Sequence, residues 1–235
     1  MKALILAAGI GSRLAPFTDK KPKALIEVNG VPILKNQLEC LIKNNIKNIV
    51  VIAGYLHEEI TRFIERYYPF VQVIVNKEYL TTNNMYSAFL AKELMNNSDF
   101  LLLNGDVFID ESIIAQLIRD KEADLIAVDY NKYYDESMKI VVEDQKVIHI
   151  SKTICPEKAY GSSIDIYKFS KNTSITFFRS IDCIITRFGE KRLWNEVALD
   201  KILLESNFKP HSITGNWFEI DSLQDLEKAK EIFER

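Results

Sequence analysis

The sequence predicts an α/β protein built on a doubly wound, mostly parallel mixed sheet with a small antiparallel insertion. Two observations predict this class. Over the first 130 residues, short runs rich in Val, Ile and Leu alternate with amphipathic stretches, which is typical of βαβ units. From about residue 131 the strand-like runs follow one another directly, which is typical of antiparallel pairs. In open α/β sheets ligands bind beyond the carboxyl ends of the strands, so the loops there are the first candidate site.

The predicted strands of the parallel part are short and apolar, as expected for strands buried on both faces. They cover residues 3–8, 48–54, 71–75, 99–106 and 123–130. The predicted helices between them repeat apolar residues every three or four positions. These helices cover residues 32–45, 58–68, 83–95 and 110–121.

The second half of the chain is predicted to begin with two strands over residues 138–152, joined at residues 143–145, and a further strand over 160–170. Helices are predicted at about 170–186 and 191–206, followed by a strand at 217–220. A last helix begins at Leu223, and Ser222 is its predicted N-cap. No internal repeat or linker interrupts the sequence, so we expect a single domain over residues 1–235.

Composition excludes several classes of function. The chain has 30 basic and 33 acidic residues and a net charge of -3, so no overall positive field favours nucleic acid or anionic lipid. It contains no apolar run long enough to predict a membrane span. Cys40, Cys155 and Cys183 are far apart in the sequence, which argues against a disulfide framework or a zinc site. With no signal-peptide pattern, we expect a cytoplasmic protein that binds neither nucleic acid nor membrane.

A glycine-containing loop after the first strand suggests a dinucleotide fingerprint at first sight. In that motif a third glycine allows a helix to pack closely on the strand, but Leu14 occupies its position here. Pro16 and Pro22 also break the chain into a long loop, where the motif requires an immediate helix. A dinucleotide-binding loop is therefore disfavoured.

The same loop fits a phosphate-binding cradle. Gly9 and Gly11 let the backbone approach a phosphate closely, and Arg13 and Lys23 add two positive charges. The stretch "LAAGIGSRLAPFTDKKPKAL" (6–25) resembles the signature of the nucleotidyltransferases that activate phosphorylated sugars and alcohols, G-x-G-[ST]-R-[LM]-x-P-x-T followed by P-K. The resemblance implies that Arg13 and Lys23 are catalytic. It also implies that the nucleoside triphosphate is bound by Leu6, Ala7, Ala8, Gly9, Gly11, Ser12, Arg13 and Lys23.

Two further segments are similar to the small bacterial phosphocholine cytidylyltransferases, "NKEYLTTNNMYSA" (76–88) and "GNWFEIDSLQDLEKAKEI" (215–232). This similarity implies CTP as the favoured nucleotide. It places the base against Tyr79, Thr82, Asn83, Asn84 and Ser87. Either asparagine is also a good helix N-cap, so one of the two has an alternative structural role.

A magnesium site is expected from two aspartates. Asp106 ends a strongly apolar strand, where a carboxylate is costly without a partner or a metal, and "LLLNGDVF" (101–108) resembles the strand that ends in the family's metal-binding aspartate. The resemblance places the second metal-binding aspartate at Asp221. Mg²⁺ prefers one or two carboxylates with phosphate oxygens and water. A turn or cap role is the alternative for Asp106, although Asp110 is the better cap, and Asp221 precedes a helix that it could cap.

The phosphorylated acceptor is left open by the sequence. A quaternary ammonium would favour aromatic faces, and the second half offers Tyr133, Tyr134, Tyr160, Trp194 and Trp217. However, Met138 stands near the position where the choline-binding members have a tryptophan. We expect the acceptor to contact Lys139, Trp194, Glu196 and Glu219. Phosphocholine-like compounds, phosphonates and phosphorylated polyols all remain candidates.

The expected reaction joins these partners without a general base, because a phosphorylated acceptor already carries a nucleophilic oxyanion. His57, His149 and His211 accordingly lie outside the motifs. Residues 1–130 are expected to bind the nucleotide, and residues 131–235 to supply the acceptor site, the late metal strand and the last helix. Two alternatives stay open: a sugar-1-phosphate nucleotidyltransferase that uses UTP, dTTP or GTP, and a non-catalytic nucleotide-binding regulator. The protein is expected to be a monomer or homodimer.

Overall fold

The computed structural model describes residues 1–130 and 137–234. Its strands are β1 (Lys2–Ala7), β2 (Glu27–Val28), β3 (Val31–Pro32), β4 (Ile49–Ala53), β5 (Gln72–Val75), β6 (Phe100–Asn104), β7 (Val107–Ile109), β8 (Leu125–Asp129), β9 (Lys139–Glu143), β10 (Lys146–Ser151), β11 (Gly161–Phe169), β12 (Lys209–Ser212) and β13 (Trp217–Glu219). Its helices are α1 (Ile33–Lys43), α2 (His57–Tyr67), α3 (Asn84–Leu90), α4 (Lys92–Met95), α5 (Glu111–Arg119), α6 (Lys171–Phe188), α7 (Asn195–Leu203) and α8 (Leu223–Ile232).

One nine-stranded mixed sheet organises the described part of the chain. Its main path runs β10-β9-β11-β6-β1-β4-β5, and β8 pairs with both β11 and β12. Strands β6, β1, β4 and β5 are parallel, whereas β11 runs antiparallel to β6 and β8. The β9–β10 hairpin extends this same sheet. The predicted α/β class, with its parallel core and antiparallel insertion, is confirmed.

Alternating residues of β1 feed two cores on opposite faces of the sheet. Ile5 belongs to a cluster that includes residues of α1, α2 and α5. Leu4 and Leu6 belong to a second cluster with residues of α3, α6 and α7. Since successive side chains of a strand point to opposite faces, this two-sided burial explains the continuous apolar run of the sequence.

The structure departs from the sequence prediction in several places, and the short strands β2, β3 and β7 were not predicted. Strand β5 is an edge strand whose side chains are partly exposed, although full burial was expected. The helix predicted over 83–95 is divided at Ala91, where α3 ends, and the one predicted from 191 begins only at Asn195. Strand β12 was not predicted because it contains Pro210; it pairs in the sheet only with β8, and an edge position tolerates proline.

Strand β11 pairs with three other strands of the sheet, β6, β8 and β9. Its first residues, Gly161 and Ser162, pair with β9, and its last four residues pair with β6. Between these residues the pairing of β11 with β8 shifts register, and Asp165 adopts a φ of +59°. A bulge of this kind re-aims side chains.

None of the helices within residues 1–130 and 137–234 combines the length and apolar character needed to cross a membrane.

Candidate active site

The loop after β1 folds into three single 3₁₀ turns, Ser12–Leu14, Phe17–Asp19 and Lys23–Leu25. Leu14 is fully buried in a cluster with Phe108 and Phe218, which anchors the loop to β7 and β13. Thr18 Oγ1 donates a hydrogen bond of 3.0 Å to the Gly11 carbonyl. The loop is therefore held by packing and hydrogen bonds at both ends, as a preorganised phosphate site requires.

The local structure explains why glycine occupies both positions of the loop. Gly11 has a φ of +70°, and a Cβ there would lie 2.9 Å from Lys23 Cβ, so any larger residue would displace Lys23. A Cβ at Gly9 would meet no atom within 4 Å. The backbone at Gly9 is open toward the cavity that the loop borders, which leaves room for a ligand to approach it.

Lys23 lies between the two predicted metal-binding aspartates. Its Nζ is 2.8 Å from Asp106 Oδ2 and 2.6 Å from Asp221 Oδ1. Burial opposes the charged form of Lys23, but the two carboxylates outweigh it and raise the pKa of Lys23 above its ordinary value. The ammonium group is therefore fully charged at neutral pH.

Arg13 completes this ion-pair cluster from the solvent side. Its Nη2 lies 2.8 Å from Asp221 Oδ2, and its side chain is 63% exposed. Burial works against ionisation of Asp221, but Lys23 and Arg13 hold the pKa of Asp221 below its ordinary value. Asp221 does not cap α8; Ser222 does so, in a capping box with Asp225. The structural alternative for Asp221 is thereby removed.

A cavity of about 330 Å³ opens above this cluster, at the carboxyl ends of β1 and β6. It brings together nearly all of the site residues that the sequence suggested. These lining residues are Leu6, Ala7, Ala8, Gly9, Gly11, Ser12, Arg13, Lys23, Tyr79, Thr82, Asn83, Asn84, Ser87, Asp106, Trp194, Glu196, Glu219 and Asp221. Lys139 is the exception: it is 3% exposed, and its Nζ donates to the Ser137 carbonyl at 3.1 Å, so it does not reach the cavity.

One wall of the cavity is built around Asn76, which sequence reasoning missed. Its Nδ2 donates to Thr82 Oγ1 at 3.1 Å and to Ser87 Oγ at 3.2 Å. Its Oδ1 accepts from the Glu78 backbone N–H at 2.9 Å. Asn76 is 1% exposed and therefore acts as a brace that positions two candidate base contacts.

The two neighbouring asparagines have different roles. Asn83 is the N-cap of α3, and its side chain accepts from the Asn84 N–H. Asn84 reaches across the wall instead: its Oδ1 accepts from the Asn195 N–H at 2.9 Å, which ties α3 to α7. One of the pair is a cap, as the sequence allowed, and the other joins two elements of the cavity.

Asp110 stands at the N-cap position of α5, but its side chain makes no capping hydrogen bond to that helix. It accepts instead from the Asn216 backbone N–H at 2.7 Å. The carboxylate thereby ties the start of α5 to the segment that leads into β13.

Asp165 and Glu196 form an acidic wall of the cavity; Glu196 is buried and Asp165 is partly buried. Tyr167 Oη lies 2.9 Å from Glu196 Oε1 and 3.1 Å from Asp165 Oδ1. Burial, followed by repulsion from Asp106, raises the pKa of Asp165 to about 6. Burial, followed by the charge of Asp165, raises the pKa of Glu196 to about 8. Such perturbed carboxyl groups in a cleft are a physical indication of function.

A third carboxylate lies beside the two predicted metal-binding aspartates. Oxygen atoms of Asp106, Glu219 and Asp221 lie within 4.8 Å of one another. Burial, with repulsion from Asp165 and then Asp106, raises the pKa of Glu219 well above its ordinary value. A group of acids held this closely in a partly buried place calls for a compensating cation.

The aromatic residues that the sequence offered as contacts for the acceptor do not lie together. Trp194 lines the cavity, and Lys152 Nζ lies 4.8 Å from the centre of its ring. Trp217 is buried and donates from Nε1 to Asp129 Oδ2 at 2.6 Å. Tyr160 contacts Tyr130 by an edge-to-face arrangement and does not line the cavity. Tyr133 and Tyr134 lie outside the described residues.

Besides Asn76, three polar or charged residues of the cavity escaped sequence reasoning: Asn104, Lys152 and Asp165. Asn104 is the last residue of β6, two positions before Asp106, and its polar side chain at the end of an apolar run was a usable signal. Lys152 directly follows the hairpin strand β10. No local pattern marks Asp165, because the bulge that aims it lies in the pairing of β11 with β8, a strand distant in the sequence.

A second cavity of about 250 Å³ adjoins the first. The two share Arg13, Met138, Lys152, Asp165, Glu219 and Asp221. Lys228 of the last helix and Trp217 belong to the second cavity alone. The shared acids and cations therefore stand between two spaces, each large enough for part of a substrate.

The fold and this site define a class of protein. Residues 2–139 match the family described as Nucleotidyl transferase, and the chain belongs to that family. It is a nucleotidyltransferase, as the glycine loop indicated.

Relatives extend the similarity over the whole chain. The choline-phosphate cytidylyltransferase of Streptococcus pneumoniae is 32% identical over 99% of this chain and 98% of its own. The CTP:phosphoglutamine cytidylyltransferase of Campylobacter jejuni is 28% identical over 97% of this chain and 98% of its own. Among solved structures, the CTP:phosphocholine cytidylyltransferase of S. pneumoniae superimposes with a TM-score of 0.81, at 29% identity over 99% of both chains.

Proposed function

We propose that this protein transfers a cytidylyl group from CTP to a small phosphorylated acceptor and releases pyrophosphate. The observation that carries the proposal is the position of Lys23, which is paired with Asp106 and Asp221 directly beneath an open glycine loop. A buried, permanently charged ammonium group at such a place stabilises phosphate oxygens as charge shifts between them. CTP as the donor is supported by the two whole-length relatives.

The triphosphate is assigned to the loop, and the base to the Asn76 wall. Gly9 offers open backbone to a phosphate, and exposed Arg13 stands at the rim, free to follow the leaving pyrophosphate. Thr82 and Ser87 hydroxyls, held by Asn76, are assigned to the cytosine edge, with Tyr79, Asn83 and Asn84 completing the wall. Leu6, Ala7, Ala8 and Ser12 provide the remaining backbone of the nucleotide site.

Mg²⁺ is the proposed cofactor, with Asp106 and Asp221 as its ligands. Within the described residues, Asp106 Oδ1 is buried and has no hydrogen-bond partner. Lys23 contacts the other oxygen of Asp106, Oδ2, whereas Asp221 is paired through both oxygens, with Lys23 and with Arg13. An orphaned carboxylate oxygen beside two other acids suits a hard divalent cation. When bound, the ion supplies charge neutralisation at the phosphate oxygens.

The reaction itself needs placement and charge. An oxygen of the acceptor phosphate attacks the α-phosphorus of CTP, the new oxygen–phosphorus bond forms, and the bond to the β-phosphate oxygen breaks. Lys23 and Arg13 balance the negative charge that gathers on the transferred group and on pyrophosphate. The attacking oxygen is already ionised, so no proton must be removed. Asp165 and Glu196 are therefore assigned to binding, and no general base is required.

The acceptor is assigned to the shared region between the two cavities. Lys152 is the candidate contact for its phosphate, in the role that the sequence gave to Lys139. Glu196, Glu219 and Trp194 are retained as candidate contacts for its distal end, and Asp165 joins them. An acidic wall favours an acceptor with a positive charge, whereas Met138 offers no aromatic face for a quaternary ammonium.

We further propose that residues 1–130 form the nucleotide half of one domain and that residues 131–235 form the acceptor half. The three cysteines are free thiols, which supports a reducing compartment, the cytoplasm. A monomer or a homodimer remains our prediction. Size-exclusion chromatography with light-scattering detection would measure the oligomeric state.

The test is a pyrophosphate-release screen. CTP, UTP, dTTP and GTP are each combined with phosphocholine, phosphoethanolamine, 2-aminoethylphosphonate, glycerol 3-phosphate and glucose 1-phosphate, in the presence of Mg²⁺. We expect release that requires CTP and one of the non-sugar acceptors. Asp106→Asn, which keeps the shape of the side chain and removes its charge, is the matched control and should be inactive in the same wells.

Three other outcomes carry a definite meaning. Best release with UTP, dTTP or GTP and glucose 1-phosphate would replace the proposal with a sugar-1-phosphate nucleotidyltransferase. Release without any acceptor would indicate hydrolysis. Tight CTP binding by calorimetry, with no release in any well, would indicate a non-catalytic nucleotide binder.

A further inference from the structure

Tyr167 is a buried polar residue for which the reaction outlined above has no use. It lies on β11, is 1% exposed and points its hydroxyl group into the acidic wall. Oη accepts a hydrogen bond from Ser163 Oγ at 3.1 Å. Ser163 Oγ itself accepts from the Asp165 backbone N–H at 3.0 Å, so the hydroxyl hydrogen of Ser163 is committed to Tyr167.

The Tyr167 hydroxyl group has fewer hydrogens than it has acidic neighbours. Its hydroxyl has one hydrogen, yet Asp165 Oδ1 and Glu196 Oε1 are both within hydrogen-bond distance, at 3.1 and 2.9 Å. An ionised carboxylate can only accept hydrogen bonds. Tyr167 can donate to one of the two acids, and the other acid must bring its own hydrogen to the remaining lone pair of Oη.

The neighbours decide which acid keeps the charge. Asp165 Oδ2 also accepts from Asn104 Nδ2 at 3.0 Å, so two donors face the Asp165 carboxylate. Glu196 is 2% exposed, more buried than the partly exposed Asp165, and its carboxyl group faces the tyrosine oxygen and its own backbone N–H. Donation from Tyr167 to Asp165, and from protonated Glu196 to Tyr167, satisfies every group of the cluster.

The charged groups around the pair do not cancel its remaining charge. Asp106 and Glu219 repel Asp165, while Lys152 attracts both acids of the pair. Lys152 is also positioned over the ring of Trp194. Both acids line the larger cavity, and Asp165 also lines the smaller one. The pair is thus open to a ligand from the acceptor side.

We propose that Tyr167 is a positioning residue for the acceptor: its single hydroxyl hydrogen holds Asp165 and Glu196 as a pair with one negative charge, and this pair binds one positively charged group of the acceptor. The proposal rests on the proposed function, since it assumes that a phosphorylated acceptor occupies this cavity. Tyr167 itself touches no substrate. It orients Asp165 and Glu196, which do, and it sets their combined charge.

The test compares Tyr167→Phe with the wild-type protein in steady-state pyrophosphate release, with CTP and whichever of phosphocholine, phosphoethanolamine and 2-aminoethylphosphonate the wild type uses best. We expect KM for that acceptor to rise at least about tenfold, as for a lost hydrogen bond to a charged group. KM for CTP should change less than about twofold, because the nucleotide wall is untouched. Tyr68→Phe is the matched control, since Tyr68 Oη donates to Glu39 Oε1 at 3.3 Å outside the cavity.

A double variant separates charge from structure. In Tyr167→Phe the hydroxyl that links the two acids is gone, so nothing fixes which of them carries the single charge; adding Glu196→Gln makes position 196 neutral and leaves the charge on Asp165. We expect the double variant to recover at least about threefold of the lost acceptor affinity. A purely structural role for the hydroxyl predicts a further loss in the double variant, and that result would overturn the proposal.

The remaining outcomes are also decisive. If Tyr167→Phe does not fold, Ser163→Ala removes one hydrogen bond to Oη and must raise acceptor KM in the same direction. Equal rises of KM for CTP and acceptor would contradict the proposal. If the wild type uses only glycerol 3-phosphate or glucose 1-phosphate, the proposal fails while nucleotidyl transfer stands. If no acceptor supports release, the proposed function fails first.

Discussion

Replacing Lys23 with methionine tests the ion-pair cluster at the centre of the site. The methionine keeps the apolar stem and removes a cation whose side chain is 12% exposed and which lies 2.8 and 2.6 Å from two carboxylates. Breaking a buried ion pair by removing one partner costs about 3–5 kcal/mol. Arg13 still faces Asp221, but a largely exposed partner contributes only about 0–1 kcal/mol. We therefore expect a loss of about 3 kcal/mol in the free energy of unfolding.

The assay is thermal unfolding followed by circular dichroism, without nucleotide. A chain of this size changes its Tm by about 2–4 °C per kcal/mol, so Lys23→Met should unfold about 6–12 °C below the wild type. The variant takes the ion-pair partner from Asp106 and leaves Asp221 paired with Arg13 alone, so Mn²⁺ should bind these carboxylates more readily. At a hundredfold excess over Kd this restores about 2.7 kcal/mol, and the Tm of the variant should rise more than that of the wild type.

Lys21→Met is the matched control. Lys21 pairs with Glu27 on the surface, with both side chains more than 40% exposed, and its loss should shift Tm by no more than about 2–4 °C. Equal Tm values for Lys23→Met and the wild type would refute the energetic importance of the cluster. An equal effect of Mn²⁺ on both proteins would refute the expectation that removing Lys23 strengthens binding of a divalent cation at Asp106 and Asp221.

Three further predictions concern the same site. Lys23→Ala and Asp106→Ala should each lower turnover at least about a hundredfold in pyrophosphate release; near-normal turnover would remove that residue from the mechanism. Gly11→Ala places a Cβ 2.9 Å from Lys23 Cβ at a φ of +70° and should cost about 1–3 kcal/mol in urea unfolding, whereas Gly9→Ala, with no atom within 4 Å, should unfold like the wild type. Burial raises the pKa of Glu196 to about 8. Between about pH 4.5 and 8 this carboxyl group therefore binds more protons in the folded protein than in the unfolded chain, and its contribution to stability is lost as the pH rises through that window. Glu196→Gln should therefore gain stability over the wild type at pH 8 and lose that advantage at pH 5 in urea unfolding; a difference independent of pH would contradict the assignment.

The parts of the fold that the sequence predicted are those controlled by local pattern. The parallel strands were visible because burial on both faces requires continuous apolar runs, as in β1, β4 and β6. The N-cap of the last helix was visible because Ser222 directly precedes its first residue, whereas the capping box with Asp225 was found only in the structure. Strand β12 was not visible, because Pro210 lowers strand propensity and its single neighbour β8 lies far away in the sequence.

The candidate site likewise contains residues that a local pattern predicted and residues that it did not. Gly9, Gly11, Arg13 and Lys23 lie within one loop, so their spacing alone indicated a phosphate site. Asp165 depends on a bulge in the pairing of β11 with β8, which no local pattern encodes. Lys139 was expected at the acceptor, but neighbouring residues of an extended chain point to opposite sides, and Met138 lines the cavity instead.

The same limit explains why Asn76 was missed. Its side chain braces Thr82 and Ser87 from behind, so the residue appears in the sequence only as a polar position after β5. Contacts of this kind become visible once the elements are assembled.

The most direct test of the account follows the α-phosphate. CTP labelled with ³²P at the α-position is incubated with the protein, Mg²⁺ and the best acceptor from the screen, and the products are separated by chromatography. Transfer of the cytidylyl group predicts that the label joins the acceptor, in a CDP ester for a phosphate acceptor or a CMP–phosphonate for a phosphonate, with one pyrophosphate released for each product formed. Label that remains in CTP, or that appears only in free CMP, would contradict the account.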